Sequence, residues 1–593
     1  MAYRWPAGTT FKRLDLDVQD RSCPACGRDM HVCDHRYHHL WTLQGPTQVV
    51  NRLVRCPDTS CESRGCTFSP EAELSISMPR WCLGWDVFCW LGHRRFARHW
   101  SVSQLRAELQ DTHQIRLSDD AIEHYIGRYQ TMLAARQQDP ARLADGYQDI
   151  TSLVLTIDGL QPEKGHETLY VVRELMRKRV WFAEPLLSSA TQEVRRLIAL
   201  AHQWAERLDK PVRGWMSDKQ DAFVKAIAAE FAGVPHRYCQ NHFLRDVAQP
   251  VLEMDSRAKV KMRRKVRGLR AIERRVLEDR RPAAAPEPTP PAERPTTDET
   301  PQTDLSAVAT PEACVGSDLG GDRTDSALDA TGCAVPGEAG VADEAGEVVL
   351  GYCAAVRGIL NDDQGGPLHP PGLRMSEALQ EVRESLERNP ASQTRGPAES
   401  LLKRLAGCID RGLDVARDAL AHVGLYTQAL QAVDSTLRPS ATATSAEREA
   451  QFSALQQEWQ SSADPVEQHF AKMMSGFALG LFVGGETAEF PADNVDLERW
   501  FKGPKGHERR IQGHGHAGVR IVRQGPTLML ALDAHVHHDG PFTVDDLEPY
   551  GHARVPESQQ QAVERGKIMR QARSRKKRPV LLADLEKRYL NAL

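Results

Sequence analysis

Long apolar runs are absent from this sequence. The longest, at 477–485, is shorter than the roughly 18 residues that a membrane span needs. The first residues, Met-Ala-Tyr-Arg-Trp-Pro-Ala-Gly, also lack the apolar segment of a secretory signal. We therefore expect a cytoplasmic protein with no membrane partner, whose 13 cysteines serve as thiols or metal ligands rather than as disulfides.

A strong charge imbalance is absent too, since the 593 residues carry a net charge of -4. The charges are segregated along the chain, so the near-neutral total does not exclude a nucleic-acid partner. Large apolar and aromatic residues are almost missing from 282–348, which is rich in Pro, Ala, Thr, Asp and Gly. Such a segment cannot bury enough surface to offset its ordering entropy, which predicts a disordered linker.

The N-terminal cysteines have the spacing of a zinc site. Cys23 and Cys26 form one short pair, and Cys56 and Cys61 form another after a strand-like run at 49–55. Two such pairs supply the four ligands of tetrahedral Zn²⁺, as in a zinc ribbon. Ordinary buried thiols are the alternative interpretation. Six further side chains compete as ligands: Cys33, Cys66, His31, His35, His38 and His39. Cys82 and Cys89 stand among aromatic residues and are interpreted as core packing.

Two helical patterns follow the cysteine-rich region. Ser101 or Ser103 can cap the first helix, a turn is expected at 111–116, and a second start signal stands at 117–119. Together they favour a helix-turn-helix whose second helix enters the major groove of DNA. A generic helical hairpin is the alternative.

The segment 150–250 alternates between strand and helix patterns. Strands are predicted at 153–159, 168–172, 179–187, 212–218 and 236–238, with helices at 191–208 and 221–232. This order is that of an RNase H-like sheet, and it places Asp158 and Asp218 at the ends of neighbouring strands. Carboxylates held there can share Mg²⁺, which prefers oxygen ligands and promotes in-line attack on phosphate.

These residues resemble a known family. The motifs Asp158-Gly159, Ser217-Asp218 and Cys239-Gln-Asn-His242 are similar to the core of bacterial insertion-sequence transposases of the DDE type, in the group related to Mutator-like elements. The resemblance covers roughly 20–130, 150–250 and 490–530. Cys239 and His242 are expected to pack and hydrogen-bond near the active site, with a metal half-site as the alternative.

The resemblance implies a third acid on a later helix, near an asparagine and before basic residues and a glycine. The run Asp493-Asn494-Val-Asp496-Leu-Glu498 matches that pattern, so Glu498 takes the third metal-ligand role. Asp496 and Glu489 are the alternatives. Gly503-Pro504 should end or kink the helix that carries Glu498. Because about 280 positions separate the second acid from the third, the core must be interrupted by the linker and by a helical insertion.

Basic residues form two dense tracts, at 257–281 and 570–578. Their charge suits a DNA backbone, and a solvated helix face is the alternative. The candidate DNA-binding residues are Arg263, Arg264, Lys265, Arg509 and Arg510. His507 and His514 lie near the last two, and we expect them to be either phosphate contacts or plain surface residues.

The resemblance and the motifs together imply a DNA transposase with a multidomain α/β plus α fold. Its metals would be Mg²⁺ or Mn²⁺ on Asp158, Asp218 and Glu498, and Zn²⁺ on the four cysteines. Its partners would be the ends of the mobile element and target DNA, bound by a homodimer or higher oligomer at the bacterial nucleoid. A transposase-derived regulator without catalysis and an RNase H-like nuclease are the rival functions.

The expected divisions of the chain follow from these assignments. They are a zinc-ribbon region at 1–78, a helix-turn-helix-like region at 79–147, the first part of the RNase H-like core with a basic helix at 148–281, the linker at 282–348, an all-α insertion at 349–488, the last part of the core at 489–535 and a basic tail at 536–593.

Overall fold

The chain divides into two compact units in the computed structural model, which describes residues 5, 8–161, 166–279, 344–388, 397–440, 442–484, 490–513 and 518–592. One unit joins Met1–Pro250 to Ala429–Leu593, and the other is Val251–Gln428. The helical insertion expected at 349–488 therefore differs from the compact helical unit, which begins and ends earlier. Most of the expected linker lies outside the described residues, and a helix already begins at Glu344.

A small sheet opens the first unit. Its strands are β1 (Lys12–Leu16), β2 (His31–Thr42) and β3 (Gly45–Arg55), in the order β1-β3-β2. β2 and β3 form an antiparallel hairpin, and Gly45 after its two-residue turn has a φ of 115°, which favours glycine. The first cysteine pair precedes β2 and the second follows β3, so the hairpin brings the two pairs together.

Five helices come next: α1 (Glu73–Ile76), α2 (Trp85–Phe96), α3 (Val102–His113), α4 (Asp119–Gln137) and α5 (Pro140–Gly146). Ser101 caps α3 with a capping box, because its hydroxyl accepts the Gln104 N–H while the Gln104 side chain accepts the Ser101 N–H. Both predicted helices are present. The turn between them is shorter than expected, since α3 continues to His113.

The central sheet has five strands, and helices alternate with its later strands. The elements are β4 (Leu153–Leu160), β5 (Thr168–Glu174), β6 (Arg179–Leu186), α6 (Thr191–Arg207), β7 (Val212–Ser217), α7 (Asp221–Glu230), β8 (His236–Tyr238) and α8 (Gln240–Val247). The strand order is β6-β5-β4-β7-β8, with β4, β7 and β8 parallel and β5 and β6 antiparallel to their neighbours. The predicted strands and helices of this segment are confirmed, as is the adjacency of β4 and β7.

The regular elements of the second unit are all helices in the part that the structure describes. It comprises α9 (Gln249–Lys265), α10 (Leu269–Asp279), α11 (Glu344–Leu360), α12 (Pro371–Arg388), α13 (Pro397–Asp414) and most of α14 (Arg417–Leu437). The apolar residues predicted to recur at helical spacing lie in its core, where Leu402, Leu405 and Ile409 are buried.

The chain then returns to the first unit through a further series of helices. These are α15 (Ser445–Gln460), α16 (Pro465–Leu481), α17 (Val495–Trp500), α18 (Lys502–Gln512), α19 (Gly518–Val536), α20 (Val544–Leu547), a 3-10 turn (Glu548–Tyr550), α21 (Glu557–Arg573) and α22 (Arg578–Ala592). The helix that carries Glu498 ends at Trp500, as Gly503-Pro504 predicted. Pro504 lies in the first turn of α18, where a missing N–H is tolerated. No helix among the described residues is long and apolar enough to span a bilayer.

Both faces of the central sheet are buried. Leu169 and Val171 of β5 pack into one apolar cluster with α4 and α19, while Tyr170 and Val172 pack into another with α6 and α7. This alternation follows from the two-residue period of a strand. The sheet is therefore a rigid middle layer, and the ends of its strands are the places where polar side chains can converge.

Candidate functional site

The four predicted cysteines form one cluster. The sulfur atoms of Cys23 and Cys61 are 3.7 Å apart, and those of Cys26 and Cys56 are 3.5 Å apart. Four thiolates around Zn²⁺, with bonds of about 2.3 Å, have sulfur–sulfur edges of about 3.8 Å. All four sulfurs lie within 4.8 Å of one another. The cluster can therefore hold a metal such as zinc in tetrahedral geometry.

The electrostatics of the cluster also suit a cation. Hydrogen bonding from the Ala25 backbone lowers the pKa of Cys23 to about 6, whereas burial raises the pKa of Cys56 to about 12. The Ser63 N–H donates to the Cys61 sulfur at 3.4 Å. Four thiolates cannot remain charged together without a positive partner, and a bound metal supplies that charge.

The competing ligands lie outside this cluster. Cys33 donates to the Leu53 carbonyl at 3.5 Å, and Cys66 is exposed. His38 contacts the Trp81 carbonyl at 2.6 Å, and His39 contacts the Gln48 side chain at 2.9 Å. His31 and His35, both on β2, are not in the cluster either. Of the two cysteines interpreted as core, Cys89 is buried among apolar residues and Cys82 packs against the same residues.

Two carboxylates meet at one end of the central sheet. Asp158 lies near the carboxyl end of β4, and Asp218 follows the last residue of β7. Because these strands are parallel neighbours, their carboxyl ends share one edge of the sheet. The Gly159 N–H donates to Asp158 at 2.7 Å and orients that carboxylate. The sheet thus holds both acids on rigid strands at the predicted place.

Glu498 reaches the same edge from a distant part of the chain. The residue before α17, Asn494, accepts a 2.9 Å hydrogen bond from Thr156 of β4. Burial raises the pKa of Asp158 to about 6, and the nearby charges of Asp218 and Glu498 raise it as well. The charges of Asp218 and Glu498 therefore both act on Asp158, but the three acids do not form a group whose ligand atoms all lie within 4.8 Å of one another.

Asp496, the alternative third acid, is turned toward a different partner. Its carboxylate is 2.7 Å from the Lys178 ammonium, and the hydrogen bond with Lys178 lowers its pKa. Glu489, the other alternative, lies outside the described residues. The geometry therefore favours Glu498 over Asp496, a distinction that the sequence pattern left open.

Cys239 and His242 belong to the acid site itself. The ligand atoms of Cys239, His242 and Glu498 all lie within 4.8 Å of one another, and His242 Nδ1 is 3.8 Å from Glu498 Oε1. A hydrogen bond with Cys239 raises the pKa of His242 to about 9, and the charges of Asp158 and Asp218 also raise it. Both His242 Nδ1 and Glu498 Oε1 are buried without a hydrogen-bond partner in the structure. Two such atoms facing each other mark a place suited to a further ligand.

Thr156 and Lys178 were not identified from the sequence. The Thr156 hydroxyl donates a hydrogen bond that positions Asn494, and Lys178 forms an ion pair with Asp496. Asn494 stood within the motif that suggested the third acid, so a hydrogen-bonding role could have been inferred for it. Nothing in the sequence pattern distinguishes Thr156 from any other threonine of an apolar strand.

The candidate DNA-binding residues differ in their availability. Arg264 and Lys265 are exposed on α9, and Arg509 and Arg510 are exposed on α18. Arg263, in contrast, is engaged within its own unit. Its guanidinium donates to the Leu360 carbonyl at 2.5 Å and to Asp363 at 2.8 Å. Arg263 is therefore less available to DNA than its two neighbours, and its contact with DNA stays a prediction.

The helix expected to enter the major groove has an unsuitable face. The exposed residues in the first turns of α4 include Asp119, Asp120 and Glu123, which would repel phosphate, and its second half is largely buried. His507 likewise departs from both expectations, because it is 1% exposed and stacks against Phe96 at 5.7 Å. His514 lies outside the described residues.

Comparison with known proteins adds no relative. The chain matches no protein-family model, and no curated protein is significantly similar to it. We therefore infer the function from the chain's own residues, and above all from the carboxylates at the end of the central sheet.

Proposed function

We propose that the protein is a metal-dependent DNA transposase of the DDE type. The observation that supports this function best is the convergence of Asp158, Asp218 and Glu498 at one edge of the sheet. The hydrogen bond between Thr156 and Asn494, which positions the helix of Glu498, joins residues 338 positions apart. Closeness in the sequence therefore does not explain why the acids converge. The strand order is the one that the proposed RNase H-like core requires.

We propose that the three acids hold a divalent cation. Burial raises the pKa of both Asp158 and Asp218, because desolvation disfavours charge, and neighbouring carboxylates oppose each other's ionisation. A dication held by Asp158, Asp218 and Glu498 would relieve that repulsion and stabilise the ionised forms. Mg²⁺ or Mn²⁺ bound there would supply activation of water or a 3′-hydroxyl and stabilisation of the leaving oxygen.

The chain's own residues have separate tasks in this proposal. The strands that carry Asp158 and Asp218 fix two carboxylates with little freedom, and α17 adds Glu498. A hydrogen bond with Cys239 raises the pKa of His242 to about 9, so before a metal binds His242 would supply a positive charge beside the acids. Catalysis would then be mainly positional and electrostatic, with no covalent protein intermediate.

DNA binding would use other parts of the chain. The cysteine cluster would stabilise a zinc ribbon that helps to recognise the ends of the mobile element. The exposed residues Arg264, Lys265, Arg509 and Arg510 would contact phosphates. Because two element ends must be processed together, we propose at least a homodimer on DNA, acting in the bacterial cytoplasm at the nucleoid.

The decisive experiment is a strand-transfer assay with the full chain. A donor plasmid carries the gene's native flanking DNA, a second plasmid serves as target, and Mg²⁺ or Mn²⁺ is added. We expect sequencing to find flanks joined to the target for the wild type and no joints for Asp218→Asn or Glu498→Gln. Asp496→Asn is the matched control, since it removes a carboxylate from the same short helix but one paired with Lys178.

Other results would favour the rival functions. Cleaved flanks without joints would indicate a nuclease. Binding of the flanks without cleavage, equal in the wild type and Glu498→Gln, would indicate a transposase-derived regulator. Equal loss of activity in Asp496→Asn and Glu498→Gln would contradict the assignment of the third acid.

A further inference from the structure

Cys239 and His242 come together at the start of α8. Cys239 is the residue before the first turn of that helix and His242 lies within the turn, so the two side chains share one face. The N–H of Cys239 donates to the Ser217 carbonyl at 2.9 Å, which fixes the start of α8 to the end of β7. The chain therefore presents a sulfur and an imidazole side by side from a rigid position.

Glu498 completes a group of three ligands. The ligand atoms of Cys239, His242 and Glu498 all lie within 4.8 Å of one another, as do those of the four N-terminal cysteines. Neither Asp158 nor Asp218 belongs to this group. Among the described residues, Glu498 therefore forms a compact ligand set with a thiol and an imidazole rather than with the two aspartates.

The spacing within the group is close to that around a coordinated ion. Two ligands that are each about 2.0–2.1 Å from tetrahedral zinc lie about 3.3 Å apart. His242 Nδ1 and Glu498 Oε1 are 3.8 Å apart, so an approach of about half an ångström would bring them to coordination distance. Their side chains are 25% and 29% exposed, which gives an ion a route to the group. Neither atom has a hydrogen-bond partner among the described residues, so a bound ion would displace no existing bond.

A backbone N–H orients the sulfur of this group. Asn494 donates its N–H to Cys239 Sγ at 3.3 Å. The Ser63 N–H donates to Cys61 of the N-terminal cluster in the same way, at 3.4 Å. Hydrogen bonds of this kind hold metal ligands in place. Asn494 also directly precedes α17, the helix that carries Glu498, so one residue positions both the sulfur and the carboxylate.

The three ligands differ in kind from the carboxylates of the acid site. Magnesium prefers oxygen ligands, whereas thiolate and imidazole select zinc and other transition metals. We propose that Cys239, His242 and Glu498 bind one zinc ion, as a second zinc site beside the N-terminal cluster. Three protein ligands leave one position of tetrahedral zinc for water.

This zinc site does not depend on the transposase function. Under that function Glu498 is shared, so zinc bound here would compete with Mg²⁺ for the carboxylate and inhibit strand transfer. With three protein ligands against four thiolates, the site should hold zinc more weakly than the N-terminal cluster does. Dialysis should therefore remove zinc from this site and leave the cluster loaded.

The test is a cobalt titration of the full chain after zinc loading and dialysis. Co²⁺ accepts the same ligands as zinc, and a thiolate-to-cobalt absorption band reports a bound sulfur. Because sites of this kind bind zinc more tightly than Co²⁺, the zinc of the four-cysteine cluster should stay in place. We expect one Co²⁺ per chain to produce the band in the wild type. A large excess of Mg²⁺ should leave the band unchanged, and added Zn²⁺ should remove it.

Variants assign the band to its ligands. Cys239→Ala should abolish it, and Glu498→Gln and His242→Ala should each weaken Co²⁺ binding by at least about 10- to 100-fold, the effect of losing an outer-shell partner alone. Cys89→Ala is the matched control, because Cys89 is also buried but packs among apolar residues. Asp158→Asn should bind Co²⁺ like the wild type although it abolishes the proposed strand transfer. Failure of the zinc site is therefore distinguishable from failure of the proposed function. Thermal unfolding of each variant checks its fold.

Three results would overturn the proposal. One is the absence of a thiolate band in the wild type at saturating Co²⁺. Another is a band of equal strength in the wild type and Cys239→Ala, which would assign it to the N-terminal cysteines. The third is a loss of Co²⁺ binding in Asp158→Asn to the same extent as in Glu498→Gln, which would place the ion among the carboxylates.

Discussion

The hydroxyl group of Thr156 donates a 2.9 Å hydrogen bond to the side-chain oxygen of Asn494. Both side chains are buried, and the backbone N–H of Asn494 also donates to the Cys239 sulfur at 3.3 Å. These bonds fix the start of the helix that carries Glu498 against the strand that carries Asp158. The third acid therefore depends on a neutral polar pair for its position.

Replacing Thr156 with valine keeps the shape of the side chain but removes the donor. The Asn494 oxygen would remain buried without a partner, at a cost of about 1–3 kcal/mol in unfolding free energy. We expect lower stability in urea and weaker activity of the acid site. Thr436→Val is the control, since the Thr436 hydroxyl only donates to Val433 in its own helix. Equal activity loss in both variants would contradict a positioning role for Thr156.

The cysteine cluster predicts one zinc ion per chain. Cys26→Ala and Cys56→Ala should each abolish stoichiometric zinc and lower the melting temperature, because structural zinc contributes directly to folding. Cys33→Ala and Cys66→Ala should retain the metal, as their sulfurs lie outside the cluster. Metal content measured by plasma mass spectrometry after dialysis checks this, and zinc retained in Cys56→Ala would disprove the four-cysteine site.

Asp533 predicts a specific pH dependence of stability. Burial raises its pKa from 3.8 to about 7, so the folded state binds this proton more tightly than the unfolded state does. The proton on Asp533 therefore adds to the free energy of unfolding. This contribution is complete below about pH 4 and is lost as the pH rises through 7. Asp533→Asn, neutral throughout, should therefore gain stability over the wild type between those values, up to about 4 kcal/mol.

Denaturant unfolding at about pH 4, 6 and 8 measures this difference. Asp539→Asn is the control, because Asp539 is exposed on the same stretch of chain and should show no such trend. The charges of Arg173 and Arg179 oppose the upward shift in the Asp533 pKa. If the wild type were more stable than Asp533→Asn above pH 7, these charges would outweigh the effect of burial.

The salt dependence of DNA binding separates the three basic residues at the end of α9. Each phosphate contact contributes about 0.9 to the slope of log affinity against log salt concentration. Arg264→Gln and Lys265→Gln should each reduce that slope by about this amount, whereas Arg263→Gln should leave it unchanged. Fluorescence anisotropy with a flank-sequence duplex measures all three. Equal slopes for all four proteins would place the DNA interface elsewhere.

The central sheet was predictable because its strands are short apolar runs, each ended by polar residues. Val154, Leu155 and Ile157 have both the composition and the length of a buried strand, and the acid that follows them marks its end. The order of strands and helices then leaves few possible arrangements. The cysteine cluster was predictable for a similar reason, since ligand spacing is a local property of the chain.

Features that depend on distant partners could not be predicted in this way. His507 and Arg263 are polar residues in polar segments, and nothing in their surroundings in the sequence reveals burial against Phe96 or a bond to Asp363. The choice between Asp496 and Glu498 depends on Lys178, more than 300 positions earlier.

The position of the helical unit, Val251–Gln428, sets the order in which the acid site can be completed during synthesis. Asp158 and Asp218 leave the ribosome first, and about 280 residues must follow before Glu498 does. At roughly 5–20 residues per second, that interval is about 15–60 s. A nascent chain therefore carries an incomplete acid set throughout this period, and a truncated translation product would carry it permanently.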